Sequence, residues 1–165
     1  MYIQFDQLSD SSKIWIYQSN RPFTETEKVA IVEKGKQFID QWTAHGKDLK
    51  SSLKIVYDQF LILGVDENLN QATGCSIDAS VNFFRSISAQ LGVDLFDRTQ
   101  IAFIFKGKLQ IESLSNFKSK VKSGELSDDI EVFNNSITCK GELSKAWLAP
   151  LSKSWAARFI PTATM

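Results

Sequence analysis

The chain is poor in the residues that most often make chemistry visible in a sequence: it has one histidine, two cysteines and no excess of either charge. A usual tetrahedral zinc site draws on histidine and cysteine. His45, Cys75 and Cys139 lie far apart and in no ligand-spaced pattern, so no metal is expected, and no cofactor either. Nineteen Lys and Arg residues balance nineteen Asp and Glu residues, which leaves no net field to gather polyanionic phosphate or an anionic membrane surface. Lys47, Lys50 and Lys54 form the nearest thing to a basic run, but Asp48 and Asp58 interrupt it. The expectation is therefore no nucleic-acid partner. No window approaches the ~20 apolar residues of a membrane span, and Met1 to Leu8 carries no basic stretch leading into an apolar one. With two isolated cysteines that suit a reducing compartment, this reads as a cytoplasmic protein with free thiols and no membrane partner.

What is present is ordinary globular composition. Apolar residues make up 43% of 165 and charged residues 23%, enough to bury a core without disulfides or metals. The expectation is one α+β domain over 1–165.

Ile14 to Tyr17 is a β-branched and aromatic run that stops at Asn20-Arg21-Pro22, which predicts a strand. Thr24 followed by Glu27 is a capping box, and Ile31, Gly35, Phe38, Ile39 and Trp42 then fall on one helical stripe. His45-Gly46 is read as the end of that helix. Leu53 to Val65 is too long for one average strand and is read as a hairpin divided at Asp58-Gln59, with one long bent strand as the alternative because that turn lacks the glycine a two-residue primed turn prefers. A polar loop from Asp66 leads to a second helix, with Ser76 as its N-cap, Ile77, Val81, Phe84, Ile87 and Leu91 inward, and Gly92 at its end. Ile101 to Phe105, the turn Lys106-Gly107 and Lys108 to Glu112 make a second hairpin. A third helix runs from about Ser115 to Ser123, a further strand lies within Ile130 to Ile137, and the tail holds Trp147, Trp155 and Phe159 in two short helical pieces. This order predicts a mainly antiparallel sheet with helices on one face; its first two-thirds has the βαββαβ order of a ferredoxin-like core, extended by a hairpin and helices, an order that other antiparallel α+β sheets share.

The most distinctive segment runs from Ala72 to Asp78, where a glycine, a thiol and a hydroxyl meet at a helix mouth. Unpaired amides and the positive end of the helix dipole favour an anion there and favour the thiolate of a nearby cysteine. Gly74, Cys75 and Ser76 are thus candidate ligand-binding residues, with Asp66, Glu67 and Asp78 as flanking carboxylates. Three readings stay open. Cys75 is a nucleophile with His45 as its base; or the turn cradles a small anion or meets a protein partner; or Gly74 simply turns the chain, Cys75 packs and Ser76 caps. The four tryptophans read as core and lid packing, with a surface aromatic groove as the competing use.

Trp42-Thr43-Ala44-His45-Gly46, Phe60 to Glu67, Gly74 to Asp78 and Leu95-Phe96-Asp97-Arg98 together resemble small uncharacterised bacterial proteins over nearly the whole chain. Some of those carry the label "ABC transporter ATPase". The resemblance implies a soluble, stand-alone protein; the label implies ATP hydrolysis. Phosphate gripping of that kind needs a glycine-rich loop ending in Gly-Lys-Ser/Thr between a strand and a helix. Here Gly107-Lys108 is followed by Leu109, and Ala102 stands where the first glycine belongs, so no nucleotide P-loop is expected.

Overall fold

A computed structural model describes residues 1–162, which gather into two compact units, the first made of residues 1–96 and 138–141 and the second of residues 97–137 and 142 onward. The first unit contains β1 (Lys13–Gln18), α1 (Glu25–Gln41), a short hairpin of β2 (Thr43–Ala44) and β3 (Lys47–Asp48), then β4 (Lys50–Val56), β5 (Phe60–Asp66) and α2 (Gly74–Leu91). Its main sheet is antiparallel in the order β1-β5-β4.

The central strand β5 is buried along its whole length, so both faces must be covered. Leu61, Leu63 and Val65 point to one face and share a core with Ile31 and Ile39 of α1 and Phe84 and Ile87 of α2. On the other face Gly64 admits the side chains of the N-terminal segment. A Cβ there would stand 2.7 Å from Leu8 Cδ1 and 3.3 Å from the Phe5 ring. Gly35 has the same role on α1, where a Cβ would meet Leu53 Cδ2 at 2.5 Å, so the helix lies close on β4.

The start of α1 is fixed by several groups at once. The Thr24 hydroxyl accepts from Glu27 N, and Glu27 Oε1 accepts from Thr24 N at 2.9 Å, completing the capping box. Arg21 grips both oxygens of the same carboxylate at 2.8 Å and donates to the Leu91 carbonyl at the end of α2 at 3.0 Å. The guanidinium, with the Thr24 amide, holds the Glu27 carboxyl down to about 2.

The second unit contains β6 (Gln100–Phe105), β7 (Lys108–Ser113), α3 (Leu114–Lys122), β8 (Ile130–Phe133) and β9 (Leu148–Pro150), in a second antiparallel sheet ordered β7-β6-β8-β9. Phe117 and Val121 of α3 pack on Ile101 and Phe103, and Trp155 and Phe159 of the tail lie against that core. The tail segments Leu151–Lys153 and Trp155–Phe159 are 3-10 turns. Lys106 and Gly107 both take positive φ in a two-residue turn that leads into strand β7, not into a helix, so the Gly107-Lys108 pair has none of the surroundings of a phosphate loop.

The α+β class and the antiparallel pairing expected from the sequence are what forms. The ferredoxin-like arrangement is not. β6, which would be the fourth strand of that core, pairs instead with β7 and β8. The first sheet closes at three strands, and an extra hairpin, β2-β3, follows α1.

Two outcomes follow from these contacts. The Ser52 hydroxyl in β4 is fully buried and has no hydrogen-bond partner among the described residues. Ser52→Ala removes an unsatisfied polar group and is expected to raise stability by about 1 kcal/mol, read as a higher urea midpoint at unchanged slope; a lower midpoint contradicts that account of the site. Glu27 has a folded pKa below its ordinary 4.5, so its stabilising effect is complete above that value and is lost as pH falls from 4.5 towards 2. The gap in urea midpoint between the natural protein and Glu27→Gln is therefore expected to be widest at neutral pH and to narrow across that window. A gap independent of pH contradicts the pairing.

Candidate functional site

The helix mouth singled out in the sequence lies wholly in the first unit. Thr73, not Ser76, is the N-cap of α2. Its hydroxyl accepts from Ser76 N at 3.2 Å, and the Ser76 hydroxyl in turn accepts from Thr73 N at 2.6 Å. Ser76 stands at the third helical position as the return half of a capping box, with serine in the place usually taken by glutamate or glutamine. Gly74 and Cys75 occupy the first two positions and are exposed, and their amides precede any carbonyl of the helix that could accept from them. Starting the helix at Gly74 moves Asp78 out of the first turn, to an exposed fifth position.

The loop before the helix is tied down by its own side chains. Asp66 is buried and accepts from Asn68 N at 3.0 Å; Glu67 Oε2 accepts from Ala72 N at 2.9 Å. These two carboxylates shape the loop. Asn70 Nδ2 lies 3.0 Å from the Lys47 carbonyl oxygen and 3.3 Å from those of Ala44 and Asp48, which fastens the loop to the β2-β3 hairpin.

His45 does not end a helix. It forms the tip of the β2-β3 hairpin with Gly46, at φ of 53° and 74°, the two positive values that a type I′ turn requires. α1 stops earlier, at Gln41, with Trp42 as its C-cap. His45 is exposed and is not among the residues lining the cleft described next.

That cleft, of about 320 Å³, opens between the end of α1 and the start of α2 and is lined by Phe38, Gln41, Trp42, Thr43, Cys75, Ser76 and Ala79. Trp42 is 3% exposed and donates its indole N–H to the Ser76 carbonyl at 2.8 Å, joining the two helix ends. Phe38 is half-buried, stacks on Phe83 of α2 with ring centroids 4.6 Å apart at 17°, and lies tilted against Trp42 at 5.5 Å. The cleft therefore has an aromatic wall, uncharged polar groups from Gln41 and Thr43, and at its rim an exposed free thiol.

Of the sequence candidates, Cys75 and Ser76 line this cleft and Gly74 adjoins them. Asp66, Glu67, Asp78 and His45 do not line it. No group of three His, Cys, Asp or Glu residues suited to a metal ion occurs among the described residues. Neither does a helix long and apolar enough to cross a membrane. Phe38, Gln41 and Thr43 were not legible as site residues. Phe38 and Trp42, four apart on the α1 stripe, showed only that they share a face.

No family model, curated protein or solved structure matches the chain.

The turn at His45 gives a test that separates structure from chemistry. A non-glycine residue at positive φ is strained, and asparagine tolerates that region best. His45→Asn is expected to stabilise the protein by up to about 1 kcal/mol, seen as a higher Tm, and to leave the rate of Cys75 alkylation by iodoacetamide unchanged. A severalfold fall in that rate would make His45 the thiol's base after all.

Proposed function

We propose that this protein is a non-enzymatic binding module whose site is the cleft at the mouth of α2. Its ligand is a small molecule or a protein partner's side chain that seats an apolar part on Phe38 and Trp42 and turns a polar or anionic edge to the amides of Gly74 and Cys75. The observation that carries this reading is the coincidence of two features. A segment that combines helix-start amides, an exposed thiol and a glycine also borders a cleft with an aromatic wall. Volumes of a few hundred Å³ with mostly apolar walls and a few convergent polar groups are what small-molecule sites use.

Thiol chemistry at Cys75 is the second reading, favoured by the exposure of the sulfur at the second position of a helix. It lacks a base: no histidine, carboxylate or lysine lines the cleft. A nucleophile without an activating partner is a weak catalyst, so binding is the stronger account.

Titration of the labelled protein with inorganic phosphate, acetate and adenosine monophosphate, followed by amide and indole chemical shifts, tests the binding reading. At least one of these is expected to move Gly74, Cys75 and Ser76 together, with the Trp42 indole N–H. Shifts scattered elsewhere, or none at millimolar concentration, count against it. A thiol that alkylates far faster than a free cysteine at neutral pH would instead favour chemistry.

A further inference from the structure

We infer that the occupant of the cleft is a flat, uncharged aromatic or heteroaromatic ring carrying a carboxamide-like edge. This deepens the binding reading above and rests on it, but it draws on the walls of the cleft and not on the helix start or the thiol.

Three features point to that class. The first is the wall itself. Phe38 is stacked on Phe83 and tilted on Trp42, so the ring that lines the cleft is backed and cannot fold away; its position is set by two aromatic neighbours and by the buried bond from Trp42 to Ser76. A fixed ring face or edge at a cleft prefers another ring in offset or edge-to-face contact over a saturated group of the same area. The second is charge. None of the seven lining residues is ionisable except Cys75, so the walls offer no counter-ion to a charged ring. The third is the polar complement. Gln41 is exposed, and neither its carboxamide nor the Thr43 hydroxyl makes a hydrogen bond within the described structure. A carboxamide presents donors and an acceptor together, so it pairs best with a ligand edge that does the same.

Size sharpens the class. At about 320 Å³ the cleft is at the small end of ligand sites, a size that suits one or two fused rings.

Benzamide and nicotinamide are suitable probes, with cyclohexanecarboxamide as the saturated control of like size and identical polar edge. Titrations of the full chain, read from the Trp42 indole N–H and the Gln41 side-chain amide, are expected to give dissociation constants for the two aromatic amides roughly three- to tenfold below that of the saturated one. Phe38→Leu, which keeps bulk and removes the ring, should abolish the difference. Gln41→Ala, at an exposed position, should weaken all three amides alike without altering the rank, and supplies a second variant should Phe38→Leu fold poorly. Equal binding of the saturated and aromatic amides overturns the ring assignment and leaves the binding module standing. Shifts produced by inorganic phosphate at Gly74 and Cys75, with none from any amide, likewise overturn this inference alone. If no probe moves the cleft residues, both readings fall.

Discussion

One buried hydrogen bond, from the Trp42 indole to the Ser76 carbonyl, sets the geometry of everything proposed for this protein. Without it the end of α1 and the start of α2 would be joined only by side-chain packing, and the cleft between them would have no fixed width. A buried indole N–H has to find an acceptor, and here that acceptor lies on the neighbouring helix, so satisfying one donor also joins a helix pair. The same tryptophan is the C-cap of α1, touches Trp15 of β1 edge-on at 6.4 Å and backs Phe38. Sheet, first helix and second helix therefore meet at one side chain.

Around that point the chain spends its polar groups on local order. Asp66 and Glu67 hold the approach to α2, Asn70 pins the loop to a hairpin, and Thr73 and Ser76 cap each other. At the cleft itself, the amides of the first two helical residues, the Cys75 thiol, and the Gln41 and Thr43 side chains are not used in this local order. A site whose supporting polar groups are saturated and whose remaining ones converge on a cleft is preorganised, which lowers the ordering cost that binding would otherwise meet.

Much of the fold could be read from local pattern because local physics decides it. The Thr24 and Glu27 spacing is a reciprocal pair of hydrogen bonds and gave the start of α1; Gly92 takes the left-handed conformation at φ 65° that ends α2; alternation and turn residues gave β6 and β7. The features that were missed depend on distant partners. β2 and β3 have two residues each and β9 ends in proline, so none has a hydrophobic pattern of its own. β6 pairs with β7 and β8 in a second sheet, and the apolar run within Gln100 to Phe105 does not say which sheet it enters. The site divides in the same way. Cys75 and Ser76 were visible because they sit at a helix start. Asp66 and Glu67 looked equally available until their oxygens were seen to be taken by backbone amides, and Phe38 and Gln41 belong to the site only because α1 ends beside α2.

Hydrogen exchange at the Trp42 indole, resolved from the other three tryptophans by single substitutions, tests this account most directly. If the cleft is preformed, that proton exchanges only through global unfolding, as slowly as the amide of the buried Phe84. Exchange at the rate of an exposed indole would mean that the two helix ends are not joined in solution, and the cleft with its proposed ligand would have no structural basis.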